Sequence, residues 1–388
     1  MIQFISSLLG AMVSSKKPTV YDVAREAGVS IASVSRSLRK PDSVRPATRE
    51  LIDQAIERLG YVPSGSAQSL AARRTGVIGL FMSNLDELDD LSDFTLSSVD
   101  EANVEFDPPR RDNHHNDSLY FDQVLRGCEL ETWRRGLSLM VNLGLNRNEK
   151  GLTQLASDMA GKVDGLIVMA RSVPDSTLEF LRRRVPVVMV ADAPSDNESG
   201  YDLVRVSNRK GMRTLVQHLI DRHHIDDFAY IAGPDDSPDN HKRYVGFCEG
   251  LRSRNMNPET VPIYRAEFSW TIARTITQDM ISRHKIPRAL VCANDQMALG
   301  VCRALMDNDI RIPQDVIVTG FDGIKESETN EPRITTVRQP MRNLGRAAVS
   351  TMVQRLENPD AEPFSTELPV TLLLRESSEG KIPARGDD

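Results

Sequence analysis

Two rhythms of hydrophobic and polar positions divide the chain. From residue 76 onward, short and largely apolar runs (76–82, 137–143, 165–170, 185–191, 228–232, 289–292 and 316–321) are separated by longer amphipathic stretches. Runs that are apolar on consecutive rather than alternate positions predict strands covered on both faces, and hence parallel βαβ units. Before residue 76 the period is helical. Thr19-Val-Tyr-Asp22 reads as a capping box, followed by a helix through Val23, Ala24 and Ala27 that stops at Gly28. Ser30 caps a second helix over 31–38, in which Val34 and Leu38 share a face. A third helix places Leu51, Ile52, Ala55, Ile56 and Leu59 inward and ends at Gly60. Helix, glycine turn, helix at this spacing is the helix-turn-helix pattern.

With 388 residues the chain is long enough for two or three domains, and 48 Lys plus Arg against 55 Asp plus Glu give a formal charge of −7. An acidic average argues against a phosphate partner, but the charge is unevenly spread. Residues 16–75 hold eleven basic and six acidic side chains, whereas 85–117 hold eleven acidic ones against Arg110 and Arg111. The helical head is therefore basic. The segment 85–117, with Pro108-Pro109 and no sustained period, reads as an irregular acidic insert. Its His114-His115 pair reads as solvated, and no metal site is expected. None of the four cysteines (Cys128, Cys248, Cys292, Cys302) forms a C-x-x-C pair, which argues against a disulfide framework or zinc finger and fits a reducing cytoplasm. No stretch approaches the ~18 apolar residues of a membrane span. Residues 1–15 are apolar and uncharged, but Lys16-Lys17 follow rather than precede them. They read as a disordered leader, with Met12 as an alternative start, and not as an export signal. The polar end, 376–388, reads as a flexible tail.

Thr19-Val-Tyr-Asp-Val-Ala-Arg-Glu-Ala-Gly-Val-Ser-Ile-Ala-Ser-Val-Ser-Arg36 resembles the DNA-binding signature of the lac repressor (LacI/GalR) family of bacterial transcription regulators. Gly60-Tyr-Val-Pro63 followed by Ala67-Gln-Ser-Leu-Ala71 resembles that family's hinge, and the similarity continues through the chain. The resemblance implies an α/β protein with a helix-turn-helix head over 16–62 and a hinge helix with linker over 63–75. Over 76–375 it implies a two-lobed, periplasmic-binding-protein-like core of two parallel-sheet, Rossmann-like subdomains that dimerises and binds an effector. The second head helix would enter the major groove, with Ile31 and Ala32 at base-reading positions and Arg36 one turn further on. Arginine can fork to guanine, whereas Ile and Ala offer only apolar contact. Ser30, Ser33 and Ser35 would fix register on phosphates, and Leu70 of the hinge would wedge open the central minor-groove step.

In the core, the resemblance assigns effector contacts to Asp192 of Val190-Ala-Asp192 and to Arg243 of Arg243-Tyr-Val-Gly-Phe247. It also assigns them to Asn294 of Ala293-Asn-Asp-Gln-Met-Ala-Leu-Gly300 and Asp322 of Gly320-Phe-Asp322, with Phe268 as an aromatic platform. Carboxylates, a forked guanidinium, an amide and a ring suit a polyol, so a sugar is the implied effector; a purine or another small metabolite uses the same chemistry. Two departures stand out. The acidic insert replaces the short loop after the first core strand, and Asp322-Gly323 stands where the family often has Asp-Asp or Asp-Asn. The implied protein is a cytoplasmic, nucleoid-associated repressor, a homodimer or tetramer on pseudopalindromic operator DNA. The rival reading, a periplasmic-type sugar-binding protein without a DNA role, lacks its export signal and does not account for the head. An enzyme is not expected, and neither is a cofactor. The 76–83 turn has no G-x-G-x-x-G, and no nucleophile and base are paired.

Overall fold

The computed structural model describes residues 18–62, 74–82, 119–144, 148–190 and 200–380. The chain divides into two compact units between Thr75 and Gly76. The expected leader, Leu70, the 85–117 insert, His114-His115 and Asp192 lie outside the described residues.

In the first unit, α1 (Val20–Ala27), α2 (Ile31–Arg39) and α3 (Pro46–Leu59) close on a small core of Val23, Ala24, Ala27, Val34, Ile52 and Ala55. Asp22 reaches back to the Thr19 backbone N–H at 2.9 Å and accepts from its hydroxyl at 2.7 Å, so the capping box forms. Gly28 (φ +65°) makes the left-handed turn between α1 and α2, which a side chain would strain. One inward assignment fails. Leu51 is 49% exposed while Ile52 is fully buried, because one residue along a helix is a rotation of about 100° off the buried stripe.

The second unit holds β1 (Val77–Met82), α4 (Leu119–Arg134), β2 (Ser138–Leu143), α5 (Glu149–Ala160), β3 (Gly165–Met169), α6 (Asp175–Leu181), β4 (Val187–Val190) and β5 (Asp202–Val206). It continues with α7 (Asn208–His223), β6 (Phe228–Ala232), α8 (Pro238–Arg252), β7 (Ile263–Arg265), α9 (Trp270–Ser282), β8 (Ala289–Cys292), α10 (Asp295–Met306), β9 (Ile317–Asp322) and α11 (Lys325–Thr329). It ends with β10 (Thr335–Arg338), α12 (Met341–Glu357), β11 (Ser365–Leu368), β12 (Thr371–Leu373) and α13 (Glu376–Glu379). Two six-stranded sheets result, ordered β11-β5-β4-β3-β1-β2 and β12-β10-β9-β8-β6-β7. Apart from β12, which runs antiparallel to β10, the paired strands are parallel. Each sheet thus reverses its strand order beside its own first strand, between β1 and β3 and between β6 and β8, where open α/β sheets leave a ligand crevice.

The chain passes between the two lobes three times: from β5 to α7, from β10 to α12, and from β11 to β12. Two of these passages are tied together, because Ser207 donates its N–H to Leu368 O (3.0 Å) and its hydroxyl to Glu367 Oε1 (2.6 Å). After the second passage, α12 returns to pack on α4, β3, β4 and β5. The tail expected from 376 is folded over its first residues. Residues 376–379 form α13, with Ser377 and Ser378 buried. Their small hydroxyls meet backbone polar groups: Ser377 Oγ donates to Val318 O (2.6 Å) and accepts from Thr335 N–H (2.8 Å). Polar composition there reflects satisfied burial, not fraying.

The α4–α12 crossing is backbone to backbone. A Cβ at Gly127 would run into the Arg342 carbonyl oxygen, and one at Gly345 into that of Val124. Gly345→Ala should therefore lower stability by ~1–3 kcal/mol through forced separation of the two helices. Urea unfolding measures this, and an unchanged midpoint would mean the helices do not meet this closely.

Candidate functional site

The head presents one polar face. Along α2, Val34 and Ser37 are buried, whereas Ile31 (41%), Ala32 and Arg36 are exposed and Ser33 and Ser35 half-buried. The residues assigned to DNA therefore share the solvent side of a helix whose opposite side is locked into the head core. Ser30 has a structural task as well. Its hydroxyl caps α2 by accepting from Ser33 N–H (3.1 Å) and lies 2.9 Å from Ser33 Oγ.

In the core, the carboxyl ends of β6, β8 and β9 converge. Ser237 caps α8, and the spacing of four between Asp239 and Arg243 puts both on one helical face. Asn208, the first residue of α7, sits between them: its Nδ2 donates to Asp239 (2.8 Å) and its Oδ1 accepts from Arg243 Nε (2.9 Å). Arg243, 5% exposed, also donates Nη1 to Ala293 O (2.6 Å) and lies 3.3 Å from Asp322 Oδ1. Its guanidinium carbon stands 4.0 Å from the Phe321 ring centroid and 5.9 Å from that of Phe268. Asp322, at φ +113°, is turned off the end of β9 and accepts from Gln339 Nε2 at 2.6 Å. Gln339 lies on the β10-to-α12 passage, so the second crossing is bonded directly to the site. Phe268 is held at φ +61°, its ring against Gly233, where any Cβ would collide with it. Strained backbone of this kind persists where surrounding contacts fix it, and such positions gather at binding sites.

The structure gives Asn294 a role its motif did not announce. Its Oδ1 caps α10 by accepting from Met297 N–H at 2.9 Å, so its amide nitrogen is what it can offer a ligand. The neighbouring Asp295 is the buried anchor of this corner, taking hydrogen bonds from Thr336 Oγ1 (2.6 Å), Gly323 N–H (2.8 Å) and Ile324 N–H (2.9 Å). Gly323 itself sits at φ +74° with Arg338 where a Cβ would go, which explains the missing second carboxylate. From the other lobe, half-buried Tyr120 of α4 approaches closely. Burial and the charges of Asp239 and Asp322 push its phenol upward, and Arg243 opposes them. At the rim, Arg171 after β3 pairs with Asp236 after β6 at 2.9 Å, bridging the lobes. Thus Arg243, Phe268, Asn294 and Asp322 come together. Asn208, Asp239, Gln339 and Tyr120 join them unannounced, because a lone Asn, Gln or Tyr at an element's edge carries no sequence signal.

Burial pushes the Asp322 carboxyl up to about 6, with Arg243 and Gln339 opposing the rise and Asp239 adding to it. Burial, and then the Asp322 charge, push Asp295 up to about 7 despite its hydrogen bonds. A carboxyl whose folded-state pKa exceeds its unfolded value of ~4 binds its proton more tightly when folded, so its stabilising contribution is complete below pH ~4 and is lost as pH rises through 6–7. The melting temperature is therefore expected to fall from pH 5 to pH 8, and to fall less in Asp295→Asn. An identical pH slope in the variant would contradict this assignment.

Comparison with known proteins places both units. Residues 19–64 match the bacterial regulatory proteins of the lacI family, and residues 216–378 match the periplasmic binding protein-like domain. The ribose operon repressor of Escherichia coli K12 is 28% identical over 362 residues, covering 93% of this chain and 99% of that protein. The lac repressor dimer bound to operator and the anti-inducer ONPF is similar at a TM-score of 0.76 and 25% identity, covering 94% of this chain and 99% of that one. The transcriptional regulator CelR in complex with cellobiose is similar at a TM-score of 0.65 and 27% identity, covering 93% and 99%.

Proposed function

This chain belongs to the lacI family of bacterial DNA-binding transcription regulators, and on that premise we propose that it is a repressor whose operator affinity is set by a sugar. It acts in the cytoplasm as a homodimer, two heads reading a pseudopalindromic operator whose two-fold axis matches its own. Arg36 reads guanine, Ile31 and Ala32 lie against thymine methyls, and Ser30, Ser33 and Ser35 set register on the phosphates. Leu70 of the hinge opens the central step.

The sugar lies at the carboxyl ends of β6, β8 and β9. The observation that carries this reading is the run Asp239–Asn208–Arg243–Asp322 beside the Phe268 ring. Two carboxylates, a forked donor and an amide can exchange their mutual hydrogen bonds for vicinal hydroxyls, while a ring takes the sugar's apolar face. Asp192 and Asn294 complete the polar set. The names of a ribose operon repressor and a cellobiose complex among its relatives support the sugar class. Ligand in this crevice draws the lobes together across Tyr120 and the Arg171–Asp236 pair and, through Gln339, biases the passages between them. Operator affinity then changes with no reaction step.

The test is fluorescence anisotropy of full-length protein on an operator selected from random duplexes, repeated with a panel of mono- and disaccharides. One sugar is expected to move operator affinity by about 5–150-fold, and Phe268→Ala to weaken that sugar's binding about tenfold. A response to nucleobases alone, or to nothing in the panel, would overturn the sugar reading.

A further inference from the structure

Away from the crevice, the last two turns of α7 and the short α13 bring three metal-binding side chains together. His218 and His223 each place Nε2 2.9 Å from Glu379 Oε1, and their rings meet edge to face with centroids 5.5 Å apart. The one-atom ligands of all three lie within 4.8 Å of one another. The group is mostly enclosed: the histidines are 20% exposed and the glutamate 17%. Ser378 Oγ adds a third donor to the same oxygen at 2.9 Å.

Hydrogen bonding explains this convergence poorly. A carboxylate oxygen has two lone pairs, yet three polar atoms crowd this one, while among the described residues no hydrogen bond to Oε2 is found. The two His–Glu separations fit a coordination shell instead. Ligands at ~2.0–2.2 Å from a common ion stand about 2.9–3.5 Å apart when the angles between them run from square to tetrahedral. Two imidazoles and one carboxylate select borderline first-row metals over calcium or magnesium, which prefer oxygen alone.

We propose that His218, His223 and Glu379 form a binding site for a divalent transition metal of the Zn2+ type, which clamps the C-terminal segment onto α7. Three protein ligands leave at least one position for water. Binding displaces any proton on Nε2: a neutral imidazole keeps its one proton on Nδ1, and an imidazolium releases one to solvent. The clamp joins parts that are already anchored. α13 is fixed to β9 and β10 through Ser377, and Glu376 pairs with Arg333. At its other end, α7 begins with Asn208, which holds Arg243. A metal here fastens the far end of the helix that carries part of the crevice, a role independent of which effector the crevice takes.

The experiment is titration of chelator-treated full-length protein with Zn2+ by calorimetry and with Co2+ by visible absorption, for wild type, Glu379→Gln and the double variant His218→Ala/His223→Ala. Wild type should bind one equivalent that the double variant loses, and Zn2+ should raise the melting temperature of wild type but not of the double variant. Glu379→Gln keeps a hydrogen-bond acceptor and so preserves the local fold, which circular dichroism checks; its Zn2+ affinity should fall by about tenfold or more. Absence of binding by wild type would leave a hydrogen-bonded cluster and overturn the proposal. So would unchanged affinity in folded Glu379→Gln, which would place the metal elsewhere, for example at His114-His115.

Discussion

Arg243 lies almost out of solvent, and burying a guanidinium is tolerable only where its charge and its donors are met from several directions at once. Here the directions are different elements: Asn208 at the start of α7, the Ala293 carbonyl after β8, Asp322 at the end of β9, and the Phe321 face beneath. Moving any of these elements disturbs a low-dielectric ion pair, so the second lobe is held rigid around Arg243. The same constraint reaches the passages between lobes, because Asn208 opens one of them and Gln339, bonded to Asp322, lies on another. A ligand that competes for these bonds therefore acts on the segments that set how the lobes are disposed. In the metal proposal, α7 is gripped at both ends, by Arg243 at one and by the clamp at the other.

Much of this architecture is legible in the residues, for a physical reason. The seven apolar runs became β1, β2, β3, β4, β6, β8 and β9, and all but β1 and β2 are buried at every position because helices cover both faces of each sheet. The strands that escape such reading are short or lie toward an edge. β7 and β12 have three residues each, and β11 alternates exposed and half-buried positions. β5 carries Asp202 and Arg205 within five residues. Asp202 is nonetheless buried, since Arg355 of α12 forks onto it at 2.8 Å. No local pattern reveals a partner that distant.

The site divides in the same way. Asp322 and Arg243 belong to motifs whose residue types announce their chemistry, and the two lie 3.3 Å apart. Asn294 also came from a motif, but its carbonyl oxygen caps α10. Asp295, adjacent to it, proves to be the buried anchor of Gly323 and Ile324. Composition misled at the chain's end, where Ser377-Ser378 looks like a fraying tail and is in fact sealed against β9 and β10. The acidic average misled at the start, because the charge of −7 rests largely on 85–117 while the head remains basic.

The central claim is that occupancy of the Arg243 crevice and operator binding share one free energy. Linkage makes that coupling reciprocal: whatever factor the effector imposes on operator affinity, operator must impose on effector affinity. Calorimetric titration of the effector into free protein and into the preformed operator complex measures it directly. The two effector affinities should differ by the same factor, and in the same direction, as the operator affinities measured with and without effector. Equal effector affinities in the two titrations would contradict the account.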